Sequence, residues 1–188
     1  MASALLQCGA CLRTPPPLDA CVAAVPYHYP WSGLIVDFKF HGKPGWAATF
    51  ATLMRSAPWV ELALEQADLV IPVPLSSKRL SERGFNQSLE IARWLAPGKV
   101  AHGILLRQRD TAPQASLKRA ARLHNMHDAF VVDPLQAQRL VQARAVLLDD
   151  VMTSGASLHA AARTLRAAGV AHITGMVLAR AELHADGD

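Results

Sequence analysis

Two adjacent acids at the end of an apolar run, followed at once by small hydroxyl-bearing residues and a glycine, form the part of this chain best suited to chemistry. The segment reads Ala145-Val146-Leu147-Leu148-Asp149-Asp150-Val151-Met152-Thr153-Ser154-Gly155-Ala156-Ser157. A buried strand would deliver Asp149 and Asp150 at its carboxyl end, where open α/β sheets place their ligands. The five residues Thr153, Ser154, Gly155, Ala156 and Ser157 can wrap backbone N–H groups and hydroxyls around an anion at the positive end of the next helix. Gly155 permits close backbone approach or a positive φ. Carboxylates repel a phosphate, so the natural partners of the two acids are sugar hydroxyls or a water-clad Mg²⁺. A ligand carrying both a phosphate and a diol satisfies both halves. The plain alternative is an ordinary helix start beside solvated acids.

The elements that must position these groups follow from hydrophobic spacing. Val146 to Leu148 is a continuous β-branched and leucine run, as expected of a central strand buried on both faces. Leu158, Ala161, Ala162, Leu165 and Ala168 keep a helical period that Gly169 ends, and Ile173 to Leu178 reads as the next strand. Strand, loop, helix and strand in close succession make a βαβ unit, which predicts a mostly parallel sheet of four or five strands covered by helices. Upstream, Asp68 to Pro74 suits a buried strand that ends abruptly, and Asn86 can cap a helix carrying Leu89, Ala92 and Leu95 that Pro97-Gly98 stops. Leu34, Ile35, Phe38 and Phe40, then Trp46, Phe50, Leu53 and Met54, predict two short helices around a Gly/Pro break. Phe130 to Val132 reads as a short strand. Trp31, Trp46, Trp59 and Trp94 read as packing residues, and His41, His124 and His127 as surface residues.

Composition bounds the class. The 188 residues are 51% hydrophobic and 18% charged, the balance of one globular domain with a sizeable core that needs neither disulfides nor metal. Apolar runs never approach the ~20 residues of a membrane-spanning helix, and the first ten residues lack a charged signal-peptide start. A cytoplasmic protein without membrane insertion is expected. A formal charge of +4 suits an anionic ligand and nucleic acid equally. There is no phosphate-binding P-loop motif, no Gly-x-Gly-x-x-Gly and no His-Glu-x-x-His, so NTPase, dinucleotide and zinc-protease readings have no support.

The segment from Ala145 to Ser157 resembles the phosphoribosyl pyrophosphate (PRPP) signature of the type I phosphoribosyltransferases. Ile71-Pro72-Val73-Pro74, Lys78-Arg79 and Arg83-Gly84-Phe85-Asn86-Gln87-Ser88 are similar to the signature of the ComF/GntX group within that superfamily. Arg107, Arg109, Thr111, Gln114, Leu117, Arg122 and Asn125 fall where that group has similar residues in a variable loop. The resemblance implies an α/β, type I phosphoribosyltransferase-like fold with a mostly parallel sheet flanked by helices and a small N-terminal hood. It implies binding of Mg-PRPP and transfer of phosphoribosyl to a nitrogenous acceptor with release of pyrophosphate. Thr153 to Ser157 would then hold the 5-phosphate, and Asp149 and Asp150 the ribose hydroxyls. Ser76, Ser77, Lys78 and Arg79, with Arg83 in second rank, would hold the pyrophosphate. The basic segment from Arg107 to Asn125 would close as a lid bringing Arg109 to the leaving group, its alternatives being a solvated loop or a nucleic-acid contact.

Two further readings stay open beside the enzyme: a non-catalytic module binding PRPP or a nucleotide, and a competence or DNA-uptake adapter with a DNA or protein partner. The resemblance also extends to the N-terminus, where relatives carry a cysteine-rich zinc ribbon and a Pro-rich linker. Residues 1–30 are expected to be a remnant of such a segment, loop-rich, with the phosphoribosyltransferase-like domain spanning 31–188. A structural zinc site needs four ligands, and only Cys8 and Cys11 form a properly spaced pair, with Cys21 and His28 poorly placed to complete it. Zinc is therefore expected only if a ribbon is completed from elsewhere, and nothing in the pattern decides for or against an oligomer.

Overall fold

The computed structural model describes residues 12–40, 43–108 and 129–181. Cys8, Cys11, His41, Arg109, His124, His127 and the greater part of the expected lid lie outside the described residues.

The main sheet holds strands β1 (Ala20–Pro26), β2 (Leu69–Pro72), β5 (Arg144–Met152) and β6 (His172–Arg180) in the order β1-β6-β5-β2. Every pairing in it is parallel. Side chains alternate across a strand, and β5 shows what that does here. Ala145 and Leu147 enter one core with Ile71, Ile173 and Val177, while Val146 and Leu148 enter the other with Val70, Met176 and Leu178. Both cores are covered by helices, as a parallel sheet requires. Helices α1 (Trp31–Phe40), α2 (Trp46–Ser56), α3 (Val60–Gln66) and α5 (Gln87–Leu95) supply Phe38, Phe50, Val60 and Ile91 to the second core. Helix α6 (Ala156–Ala167) covers the first with Leu158, Ala161 and Leu165. Short α4 (Ser77–Arg83) follows β2, and β3 (Leu105–Arg107) and β4 (Phe130–Val132) pair antiparallel beside α6.

The expected mostly parallel sheet flanked by helices is present, with the strand carrying the acids in its interior. Two local readings change. Residues assigned to a loop-rich appendage include β1, the edge strand, whose Val25 is buried in the second core. Its Ala-Cys-Val-Ala-Ala-Val stretch has small, apolar residues but no large ones, so it lacked the run of bulky side chains that marks a strand. Trp59 and Trp94 are not packing residues, being 73% and 62% exposed. Helix α5 buries Leu89, Ile91, Ala92 and Leu95, which turns Trp94 outward, and Trp59 sits in a left-handed conformation ahead of α3. Trp46 does pack, stacked on Phe50 at a centroid distance of 5.8 Å.

Asn86 ties β2 to α5. Its side-chain oxygen accepts from the Leu89 N–H as the helix cap, and its amide donates to the Val73 carbonyl just past the strand. Asn86→Ala is expected to lower unfolding free energy by about 1–2 kcal/mol, since it removes a cap and orphans a carbonyl. Urea unfolding checks this, and a cost indistinguishable from zero would deny the cap its role.

Candidate functional site

The acids sit within the carboxyl-terminal part of the strand rather than beyond it, since β5 continues through Met152. Alternation sends them to different sides. Asp149 borders a small depression formed by Thr153, Ser154, Gly155, Ala156 and Ser157, so the five predicted phosphate residues are together. Gly155 precedes α6 at φ +75°, and among the described residues no side chain caps the helix. The first intrahelical bond there runs from the His159 N–H to the Gly155 carbonyl, which leaves the first-turn N–H groups to whatever binds in the depression.

Asp150 faces the other way. Its Oδ1 lies 3.0 Å from the Lys39 ammonium at the end of α1, with side chains only 10% and 13% exposed. Asp149 Oδ1 accepts from the Ser88 hydroxyl at 3.1 Å and from the Asp150 N–H at 2.9 Å. Burial pushes the Asp149 carboxyl up to about 7, with the Asp150 charge adding to the rise and Lys39 and the two hydrogen bonds opposing it.

Both acids and Lys39 line a larger cleft of about 170 Å³, room for a ligand rather than a lone ion. Arg79, Arg83 and Arg107 line it too, as do Thr153 and Ser157 from the phosphate loop. Among the described residues, four cations therefore line the cleft beside two acids, an excess that suits a polyanion. Arg83 is itself held, donating to Gln87 Oε1 at 3.0 Å and lying 5.1 Å from the Phe40 ring centroid.

The residues predicted for a leaving group divide. Arg79 borders the cleft, whereas the Ser76 hydroxyl is used as the cap of α4, accepting from the Arg79 N–H. Ser77 and Lys78 are exposed on the first turn of that helix. Arg109 lies outside the described residues, but Arg107 on β3 borders the cleft, its guanidinium 5.4 Å from the Phe130 ring centroid. Sequence reasoning missed Lys39 altogether. A single lysine near the end of a short apolar helix reads as solvated surface, and only the core that α1 shares with β5 brings it to Asp150.

Among the described residues no group of three or more His, Cys, Asp or Glu side chains could hold a metal ion. Cys21 lies on β1 with its sulfur 3.8 Å from that of Met152, and His28 Nδ1 is 2.7 Å from the Tyr29 carbonyl, so the two are committed separately. No helix among the described residues is long and apolar enough to cross a membrane.

No family model matches the chain. It is 33% identical over 183 residues to the DNA utilization protein YhgH of Salmonella typhimurium, covering 93% of this chain and 78% of that protein. It is 34% identical over 182 residues to competence protein F of Haemophilus influenzae, covering 93% and 79%. Competence protein ComFC of Bacillus subtilis is 31% identical over 142 residues, 71% of this chain and 52% of that one. Among solved structures, a glutamine PRPP amidotransferase from B. subtilis aligns with 70% of this chain and 26% of its own at 16% identity, with a TM-score of 0.40.

Proposed function

We propose, from the premise that this chain belongs to the ComF/GntX-type family that includes competence protein F and the DNA utilization protein YhgH, that its cleft binds Mg-PRPP and transfers phosphoribosyl to a nitrogenous acceptor. The observation that carries this reading is the juxtaposition of Asp149 and Asp150 with an uncapped helix start in one arginine-lined cleft.

The N–H groups and hydroxyls of Thr153 to Ser157 hold the 5-phosphate, which fixes the sugar and contributes orientation rather than chemistry. The carboxylates of Asp149 and Asp150 accept from the ribose hydroxyls and favour the positive charge that grows on the anomeric carbon as its bond to pyrophosphate breaks. Arg79 and Arg83 stabilise the departing pyrophosphate, with Arg107 beside them. Mg²⁺ supplies charge neutralisation of the pyrophosphate group and fits as an ion that travels with the ligand. The acids make no open cage for a resident ion, because Asp150 is already paired with Lys39 and Asp149 Oδ1 already accepts from the Ser88 hydroxyl and the Asp150 N–H.

The relatives' names, DNA utilization protein and competence protein, favour a second reading in which the same cleft binds PRPP or a nucleotide without turnover and reports it to a DNA-uptake partner. Calorimetric titration with Mg-PRPP, followed by a pyrophosphate-release screen across purines, pyrimidines and amines, separates the two. Binding with release supports the enzyme, and binding without release under every acceptor supports the module. No binding of Mg-PRPP overturns both.

A further inference from the structure

We infer that Lys39 is a positioning residue, holding the Asp150 carboxylate toward the ribose side of the cleft rather than serving the pyrophosphate. The inference rests on the Mg-PRPP reading of the site and assigns the cations of the cleft to different tasks. On β5, Asp150 falls on the side of Val146 and Leu148, which share a core with Ile35 and Phe38 of α1. That helix is thus the element that can hand Asp150 a counter-ion, and Lys39 comes one residue after fully buried Phe38. The ammonium and carboxylate stand 3.0 Å apart with little exposure on either side.

An enclosed pair of this kind gains little over well-packed apolar residues of the same volume, because desolvating both charges offsets their attraction. Stability therefore does not explain its presence. What the pair does secure is direction: Lys39 holds the Asp150 carboxylate at 3.0 Å, and a carboxylate so fixed can meet a diol without losing rotamer freedom on binding. Arg79, Arg83 and Arg107 line the same cleft. Asp149 lies on the other side of the strand end, against the phosphate loop, and has its own partners in Ser88 and the Asp150 N–H. The division is then two-sided, with α1 orienting one acid and α5 the other.

The test uses the full chain with Lys39→Met, Lys39→Arg, Asp150→Asn and the double variant Lys39→Met/Asp150→Asn. Calorimetry with Mg-PRPP and, separately, Mg-pyrophosphate reads the two sides of the cleft. Lys39→Met is expected to weaken Mg-PRPP on the order of tenfold, as loss of an orienting partner does, and to leave Mg-pyrophosphate unchanged. Lys39→Arg restores most of the loss, and Lys39→Met adds nothing in the Asp150→Asn background. Equal weakening of both ligands, or full additivity of the two substitutions, overturns the inference. A wild-type protein that binds neither ligand overturns the reading of the site itself. In that event thermal unfolding of the four variants against the wild type still reads the pair, and additive shifts there would deny that Lys39 acts on Asp150 at all.

Discussion

Gly155→Val is expected to cost the cleft about a hundredfold in affinity for a ribose 5-phosphate group while lowering stability by about 1–3 kcal/mol. The reason is backbone conformation. Gly155 has φ +75°, where a β-branched residue is a strong outlier, and its position ahead of α6 sets the direction of the N–H groups that face the depression. A Cβ added there would lie 2.7 Å from Met152 Cε and 3.2 Å from the His159 ring, so the new side chain meets protein rather than the anion. Met152 can swing its terminal methyl aside, but the left-handed φ cannot be relieved without moving the loop. Relief therefore reorients the donors, and phosphate binding falls further than stability does. Asn tolerates this region better than Ala, and Ala better than Val, so affinity should fall in the order Asn, Ala, Val. Titration with ribose 5-phosphate alongside thermal unfolding checks the series. Three variants with equal affinity would remove the left-handed turn from the account.

What could be read in advance was whatever depended on local pattern. The Asp149 and Asp150 pair, the small-residue loop after it and the helical period from Leu158 onward are contiguous in sequence, so one strand-loop-helix unit could be inferred and is present as β5, the loop and α6. The cap at Asn86 and the positive φ that Gly155 permits were also local facts. Groups that depend on packing between distant segments were not accessible in the same way. Lys39 reaches Asp150 across 111 positions of chain only because Ile35 and Phe38 of α1 bury against β5 and its neighbours. Strand β1 escaped because its small side chains resemble a linker, and what makes it a strand is the ladder to β6 rather than its own propensity. Ser76 is assigned to the pyrophosphate by resemblance, and that its hydroxyl accepts from the Arg79 N–H as the cap of α4 is a detail that neighbouring geometry decides and composition does not reveal.

A second large effect should appear as pH dependence centred on Asp149. Its carboxyl is raised from 3.8 to about 7, first by burial and then by the Asp150 charge. A raised carboxyl binds its proton more tightly in the folded chain than in the unfolded one, so the stability it contributes is complete below the unfolded value of 3.8 and is lost as pH rises through about 7. Ligand binding has the opposite sign, because hydroxyls donate best to the ionised carboxylate, so one proton must leave below pH 7. Affinity for Mg-PRPP should therefore climb by up to about tenfold per pH unit between pH 5 and 7, at about 1.4 kcal/mol per unit, and level off above. Asp149→Asn separates the two signs. The amide has no charge to desolvate, so at pH 8 the unliganded variant should be more stable than wild type by about 1–2 kcal/mol after screening by water in the cleft. The same variant should bind Mg-PRPP on the order of a hundredfold more weakly at pH 8 and show a profile from pH 5 to 8 shallower than that of the wild type by up to one proton, the ligand's own phosphate titration remaining. Calorimetry across that range and unfolding at both ends measure each sign independently. A variant that keeps the slope of the wild type would move the titrating group away from Asp149. One that loses stability at pH 8 would mean that the carboxylate is held for the fold, and then the strand end would not be a place where folding stability has been given up to keep an ionisable group beside a ligand.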